Sequence, residues 1–246
     1  MATLQWLTEM PVAHRGLHDL SAGIVENTAS AFKAAIDGGY AIETDVQISA
    51  DNEAMVHHDG ALGRLTEGSA KLADLPAAQI KAARFKVGSD RILALPELCE
   101  LVEGRATLVI ELKSNFDGDT RIAERAVDVL KTYSGPAALM SFDPRQIEAV
   151  RALAPGVTRG IVAECSYDHW EGLTDAQRRS FALFLHAPRS RPQFLAYSGA
   201  DLPGLIPAVA RKVFGLPILT WTIRSEAERQ RVLHYADQVI FEAFRA

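Results

Sequence analysis

Short runs of apolar and β-branched residues alternate along the chain with longer stretches in which apolar positions recur every three or four residues. The short runs, at 10–13, 40–47, 107–112, 137–141, 157–162, 194–197, 217–222 and 238–241, predict eight strands. The longer ones predict helices at 27–37, 121–131, 144–153, 205–213 and 226–234. Gly38-Gly39 supplies a stop signal for the first helix, and Ser225 with Glu228 resembles a capping box at the start of the last. Strand–helix alternation implies βα units and a parallel sheet.

Two stretches break the rhythm. Residues 59–104 are too long for one crossover: turn signals stand at Asp59-Gly60 and Gly88-Ser89-Asp90, and a helix begins near Pro96. With an extra strand at 54–57 just ahead of it, this segment reads as an insertion on one loop. Residues 164–193 hold a helix near 174–185, within which 181–185 reads equally well as a strand. No linker or repeat divides the chain, so residues 1–246 are expected to form one domain.

The 246 residues are 48% hydrophobic and 23% charged, an ordinary globular composition that one α/β barrel or two smaller units would fit. A net charge of −5 without a basic cluster argues against a nucleic-acid partner. Cys99 and Cys165 match no metal or redox spacing. Residues 1–11 lack a basic leader followed by a long apolar run, and no run of about 18 apolar residues exists to span a bilayer. The expected location is the cytoplasm, without stable membrane association.

In an α/β barrel the active site is built where strands end and their following loops begin. His14-Arg15-Gly16 ends the first predicted strand, combining an imidazole that titrates near neutrality with a guanidinium suited to phosphate oxygens. Gly16 would let backbone approach a ligand. Glu43 and Asp45 project to one side of the second strand. If that side is the lumen, the two carboxylates need a proton or a cation between them, and hard oxygen donors suit Mg²⁺, Ca²⁺ or Mn²⁺. Glu111 finishes the otherwise apolar third strand beside them, with Lys113 on the same side. In Val56-His57-His58-Asp59 only one histidine can face the site, and strand periodicity does not choose between them. His18, His169, His186 and His234 are read as surface or structural.

The chain resembles the glycerophosphodiester phosphodiesterase family. The matching segments are AHRG at 13–16, ENT at 26–28 followed by Ala31-Phe32, IETDV at 42–46, VHHD at 56–59, IELK at 110–113 and TWT at 220–222, all in family order. The likeness is strong over the first 113 residues and thinner beyond. It implies a TIM (β/α)₈ barrel with a small insertion after the second strand. It also implies a divalent cation (Mg²⁺ or Ca²⁺, or Mn²⁺) on Glu43, Asp45 and Glu111, and acid–base histidines at His14 and His58. Arg15, Lys113 and Trp221 would meet the substrate, and Glu26 and Asn27 would support the site. The implied partner is a small glycerophosphodiester, hydrolysed to glycerol 3-phosphate and an alcohol. Val25, Leu93 and the terminal Ile240-Phe241-Glu242 depart from the family pattern. All three are expected to lie clear of the metal and acid–base groups. The number of chains that assemble is not readable from the sequence.

Overall fold

The computed structural model describes residues 4–246; residues 1–3, which begin the stretch 1–11 read above for a leader, lie outside the described residues. The strands are β1 (Val12–Ala13), β2 (Ala41–Ile48), β3 (Ala54–Val56), β4 (Leu108–Leu112), β5 (Ala137–Ser141), β6 (Thr158–Ala163), β7 (Phe194–Ser198), β8 (Ile218–Ile223) and β9 (Gln238–Phe241). All but β3 pair in parallel, and β9 returns to pair with β1, which closes the sheet into an eight-stranded barrel with helices between strands. This is a TIM barrel. β3 is the exception, running antiparallel against the far half of β2.

Alternation along the strands sorts apolar side chains into two layers. One lines the barrel interior and includes Val12, Ala41, Val109, Met140, Val162 and Ile240. The other packs the outer strand faces against helices such as Ala29–Asp37, Arg121–Leu130 and Pro144–Leu153. A short N-terminal helix, Gln5–Thr8, places its buried Leu7 among the interior residues, and its Leu4 and Trp6 pack there too. No periodicity announced this helix. Four residues are too few to show a helical repeat.

Strand positions agree with the sequence pattern to within two residues at each end, and two other readings need correction. The first long helix begins at Ala29, not at residue 27, because the Thr28 side chain caps it by accepting from the Ala31 N–H. Asn27 is thereby freed for the site. Residues 181–185 form no strand: Thr174 and Gln177 make a capping box that starts the helix Asp175–Ala182, and the short helix Ala187–Ser190 follows.

Within the long β2–β4 connection, Met55, Leu72, Ile80, Phe85, Ile92 and Ala94 form an apolar cluster of their own with Val25. The helix Leu95–Val102 at its end belongs to the barrel's outer layer through Leu95, Leu98, Cys99 and Val102. No helix among the described residues is long and apolar enough to cross a membrane.

Candidate active site

Parallel register brings the three acidic residues together. Asp45 on β2 stands opposite Glu111 on β4, and Glu43 lies two residues earlier on the lumen side of β2. One carboxylate oxygen from each lies within 4.8 Å of the others, and all three side chains are buried. The Lys113 ammonium sits 2.8 Å from Asp45 Oδ1 and 2.7 Å from Glu111 Oε1. Arg15 Nε lies 3.4 Å from Asp45 Oδ2. Three carboxylates against two cations leave one negative charge unmatched.

The electrostatic consequence differs for each carboxylate. Burial, followed by repulsion from Asp45 and Glu111, pushes Glu43 well above the usual range. Glu111 is also raised, chiefly by burial. Burial acts on Asp45 too, but the charges of Lys113, His58 and Arg15 outweigh it and hold Asp45 low. Asp45 Oδ1 nevertheless accepts no well-aligned hydrogen bond. A divalent cation fits this set of hard oxygen donors and would supply the missing charge.

Arg15 and Asn27 both adopt left-handed backbone (φ 56° for each), which the surrounding bonds hold in place. The Arg15 N–H donates to Glu43 Oε2 at 2.9 Å, and its carbonyl accepts from the Asn27 N–H at 2.9 Å. Asn27 Nδ2 donates to Asp45 Oδ2 at 2.9 Å while its Oδ1 accepts from Thr44 at 2.8 Å. Glu26 accepts from Arg15 Nη1 at 2.8 Å. Gly16 also has a packing role: a Cβ there would stand 2.9 Å from Ala31, so the glycine permits close approach of a helix.

His14, Arg15, Glu43, His58, Glu111, Lys113 and Trp221 line one cavity of about 260 Å³ at the strand ends. The ambiguity between His57 and His58 resolves by position: His57 is buried away from this cavity, and His58 lines it with Nδ1 held 2.8 Å from Asp59 Oδ1. Burial lowers the pKa of both His14 and His58, with the neighbouring carboxylates pulling the other way. Trp221 joins the cavity wall and the barrel interior at once, its Nε1 donating to the Ala196 carbonyl at 2.9 Å.

The model of the Glycerophosphoryl diester phosphodiesterase family matches residues 14–241. The chain belongs to that family. Its phosphodiesterase relatives include the glycerophosphodiester phosphodiesterase of Caldanaerobacter subterraneus, 28% identical over 232 residues, which are 90% of this chain and 88% of the relative. Among solved structures, an Oleispira antarctica phosphodiesterase in complex with the product sn-glycerol-3-phosphate has a TM-score of 0.76 at 21% identity, covering 97% of this chain and 95% of that one. The Thermotoga maritima glycerophosphodiester phosphodiesterase has a TM-score of 0.71 at 23% identity, covering 94% of each chain.

Within the family fold, this chain carries groups that its sequence motifs did not reveal. Glu242, one of the departures expected to lie clear of the site, lies against it: Oε2 is 2.5 Å from His14 Nδ1. Oε1 accepts from Arg224 Nε at 2.9 Å. His18, read as surface or structural, approaches the same carboxylate at 3.7 Å. Arg64, from the β2–β4 connection, donates to Asp59 Oδ2 at 2.6 Å and to Glu26 Oε1 at 2.7 Å. One guanidinium therefore joins the residue behind His58 to the residue behind Arg15.

Proposed function

We propose that the protein hydrolyses glycerophosphodiesters to glycerol 3-phosphate and an alcohol, with His14 and His58 as acid–base groups around a divalent cation held by Glu43, Asp45 and Glu111. The observation that carries this reading is one arrangement: Glu43 and Glu111 line a cavity with two imidazoles, each imidazole backed by its own carboxylate, and the buried Asp45 lies within 4.8 Å of both acids. Mg²⁺, Ca²⁺ or Mn²⁺ suits the all-oxygen donor set. Bound there, such a cation would offset charge on a nonbridging phosphate oxygen and lower the pKa of a hydroxyl beside it.

The chain's own residues supply the rest. Arg15 and Lys113, both already among the carboxylates, place positive charge where the equatorial phosphate oxygens would lie. Burial lowers the pKa of both imidazoles and favours the neutral form that a base needs, while Glu242 and Asp59 favour the imidazolium that an acid needs. One, neutral, takes the proton of the attacking hydroxyl on its free nitrogen; the other, entering the cycle as the imidazolium, gives its proton to the departing alkoxide. Asn27 and Glu26 hold Asp45 and Arg15 in place. Trp221 bounds the cavity and keeps part of it dry.

The test is a product assay. Protein supplied with glycerophosphocholine, glycerophosphoethanolamine and glycerophosphoinositol in the presence of Mg²⁺, Ca²⁺ or Mn²⁺ should release glycerol 3-phosphate. His14→Ala and His58→Ala should each lower turnover by about 10²–10⁴-fold. Near wild-type turnover in either variant would remove that histidine from the mechanism.

A further inference from the structure

A second cavity of about 380 Å³ adjoins the first and shares His58, Glu111, Lys113 and Phe142 with it. Its remaining wall is unusual in being aromatic and acidic at once. The Phe142 ring lies 4.7 Å from Trp170, tilted at 47°, and 5.5 Å from Trp221, nearly edge-on, and Phe116 meets Trp170 nearly edge-on at 5.5 Å. An aromatic surface thus runs unbroken from Trp221 in the first cavity to Phe116 in the second. The Trp170 indole N–H is turned onto the Glu164 carboxylate, an arrangement that makes the ring's faces more electron-rich.

Most polar groups of this second cavity already have partners within the protein. Ser141 donates to the Leu112 carbonyl at 2.7 Å, and Ser114 donates to Asp143 Oδ2 at 2.7 Å. Asp143 Oδ1 accepts the Arg145 N–H at 2.9 Å. Asp59 is occupied by His58 and Arg64, and Lys113 by Asp45 and Glu111. A polyhydroxyl group would find few free donors here, and a primary ammonium would have to share the Asp143 and Asp59 oxygens with the donors already on them. A quaternary ammonium needs no acceptor. It requires polarisable aromatic carbon and a negative background. Asp143 supplies that background: it is buried, and a hydroxyl and a backbone N–H satisfy it without any ion pair among the described residues.

We propose that this cavity is the subsite for the departing alcohol, and that Trp170, Phe142 and Asp143 select an alcohol carrying a quaternary ammonium group. The inference rests on the glycerophosphodiester reading above. The subsite lies beside His58, where a departing alkoxide would have to collect its proton.

Steady-state kinetics of the metal-loaded protein test it on four diesters: glycerophosphocholine, glycerophosphoethanolamine, glycerophosphoinositol, and the diester of 3,3-dimethylbutanol, which is choline with carbon in place of nitrogen. The choline ester should exceed the ethanolamine and inositol esters by about tenfold or more in kcat/KM. It should exceed its uncharged isostere by about fivefold, within the range of a cation over aromatic faces. Trp170→Leu should narrow the choline-to-inositol ratio by about fivefold, mainly through KM for the choline ester, and Trp170→Phe should restore most of it. Equal kcat/KM for all four diesters overturns the subsite and leaves glycerophosphodiester hydrolysis standing. An isostere as good as choline, or a Trp170→Leu loss spread evenly over all four, likewise overturns it. Release of glycerol 3-phosphate from none of them overturns the hydrolysis itself, and the subsite with it.

Discussion

Glu242 Oε2 and His14 Nδ1 lie 2.5 Å apart although 228 residues separate them in the chain. Barrel closure produces the pair: β9 runs in register with β1, Val12 opposite Ile240 and Ala13 opposite Phe241, so the next residues along are His14 and Glu242. Burial would raise the Glu242 carboxyl, but the bonds from His14 and His18, with the charge of Arg224, hold it well below its ordinary range, so it is an anion at neutral pH. It fixes the His14 proton on Nδ1 and leaves Nε2, which lies 3.9 Å from Glu43, as the free base. Glu242→Gln should therefore lower kcat by about 10²-fold with KM changed by less than about threefold. Steady-state kinetics check this, and an unchanged kcat would show that His14 needs no carboxylate behind it.

Arg64 has nearly half its side chain in solvent, yet it touches two partly buried supports of the site, Asp59 and Glu26. Its loss would release His58 and Arg15 together. Arg64→Ala should reduce kcat/KM by about tenfold or more, and Arg64→Lys, which cannot span both carboxylates with a fork, should recover only part. A double-mutant cycle of Arg64→Ala with Glu26→Gln should give less than additive losses. Strict additivity would mean that the two act independently.

The architecture was legible because parallel strands buried on both faces leave continuous apolar runs, and all eight barrel strands appeared as such runs. Glu43, Asp45 and Glu111 were legible for the same reason: a carboxylate within an apolar strand has no packing explanation. Arg64 was not. It sits in a polar turn where nothing distinguishes it from a solvated arginine, and its partners, Asp59 and Glu26, come from two separate segments. Glu242 was hidden by reading strand ends one at a time. Pairing the last strand with the first, as any closed barrel requires, would have set it beside His14. The packing of Gly16 against Ala31 was hidden because a glycine kept for close approach does not show in sequence which neighbour approaches it.

His186 gives a pH dependence remote from the catalytic groups. It is buried with Nδ1 3.0 Å from Ser190 Oγ, and burial lowers its pKa from 6.5 to about 4. A histidine neutral in the fold and protonated when unfolded costs nothing above pH 6.5 and destabilises progressively between pH 6.5 and about 4. Between pH 7 and pH 5 the cost is about 2 kcal/mol. Denaturant unfolding of wild type and His186→Gln at the two pH values should differ by that amount in their pH sensitivity. Equal sensitivity would place the titrating group elsewhere.

Removing one carboxylate should relieve the repulsion around Glu43 while abolishing cation affinity. Glu111→Gln is therefore expected to unfold at a temperature equal to or above that of metal-free wild type, and to gain nothing from added divalent cation. Wild type should gain stability with cation concentration, by about 2.7 kcal/mol when the free ion is a hundredfold above its Kd. Thermal melts with and without cation check both parts.

The most direct measurement is a titration of chelator-treated protein with Mn²⁺ or Mg²⁺, following cation binding and glycerol 3-phosphate release together. One ion per chain should bind, activity should rise in step with it from a negligible base, and Glu43→Gln should lose both. Full turnover in the presence of chelator, or binding left intact in Glu43→Gln, would contradict a cation held by Glu43, Asp45 and Glu111 at the reacting centre.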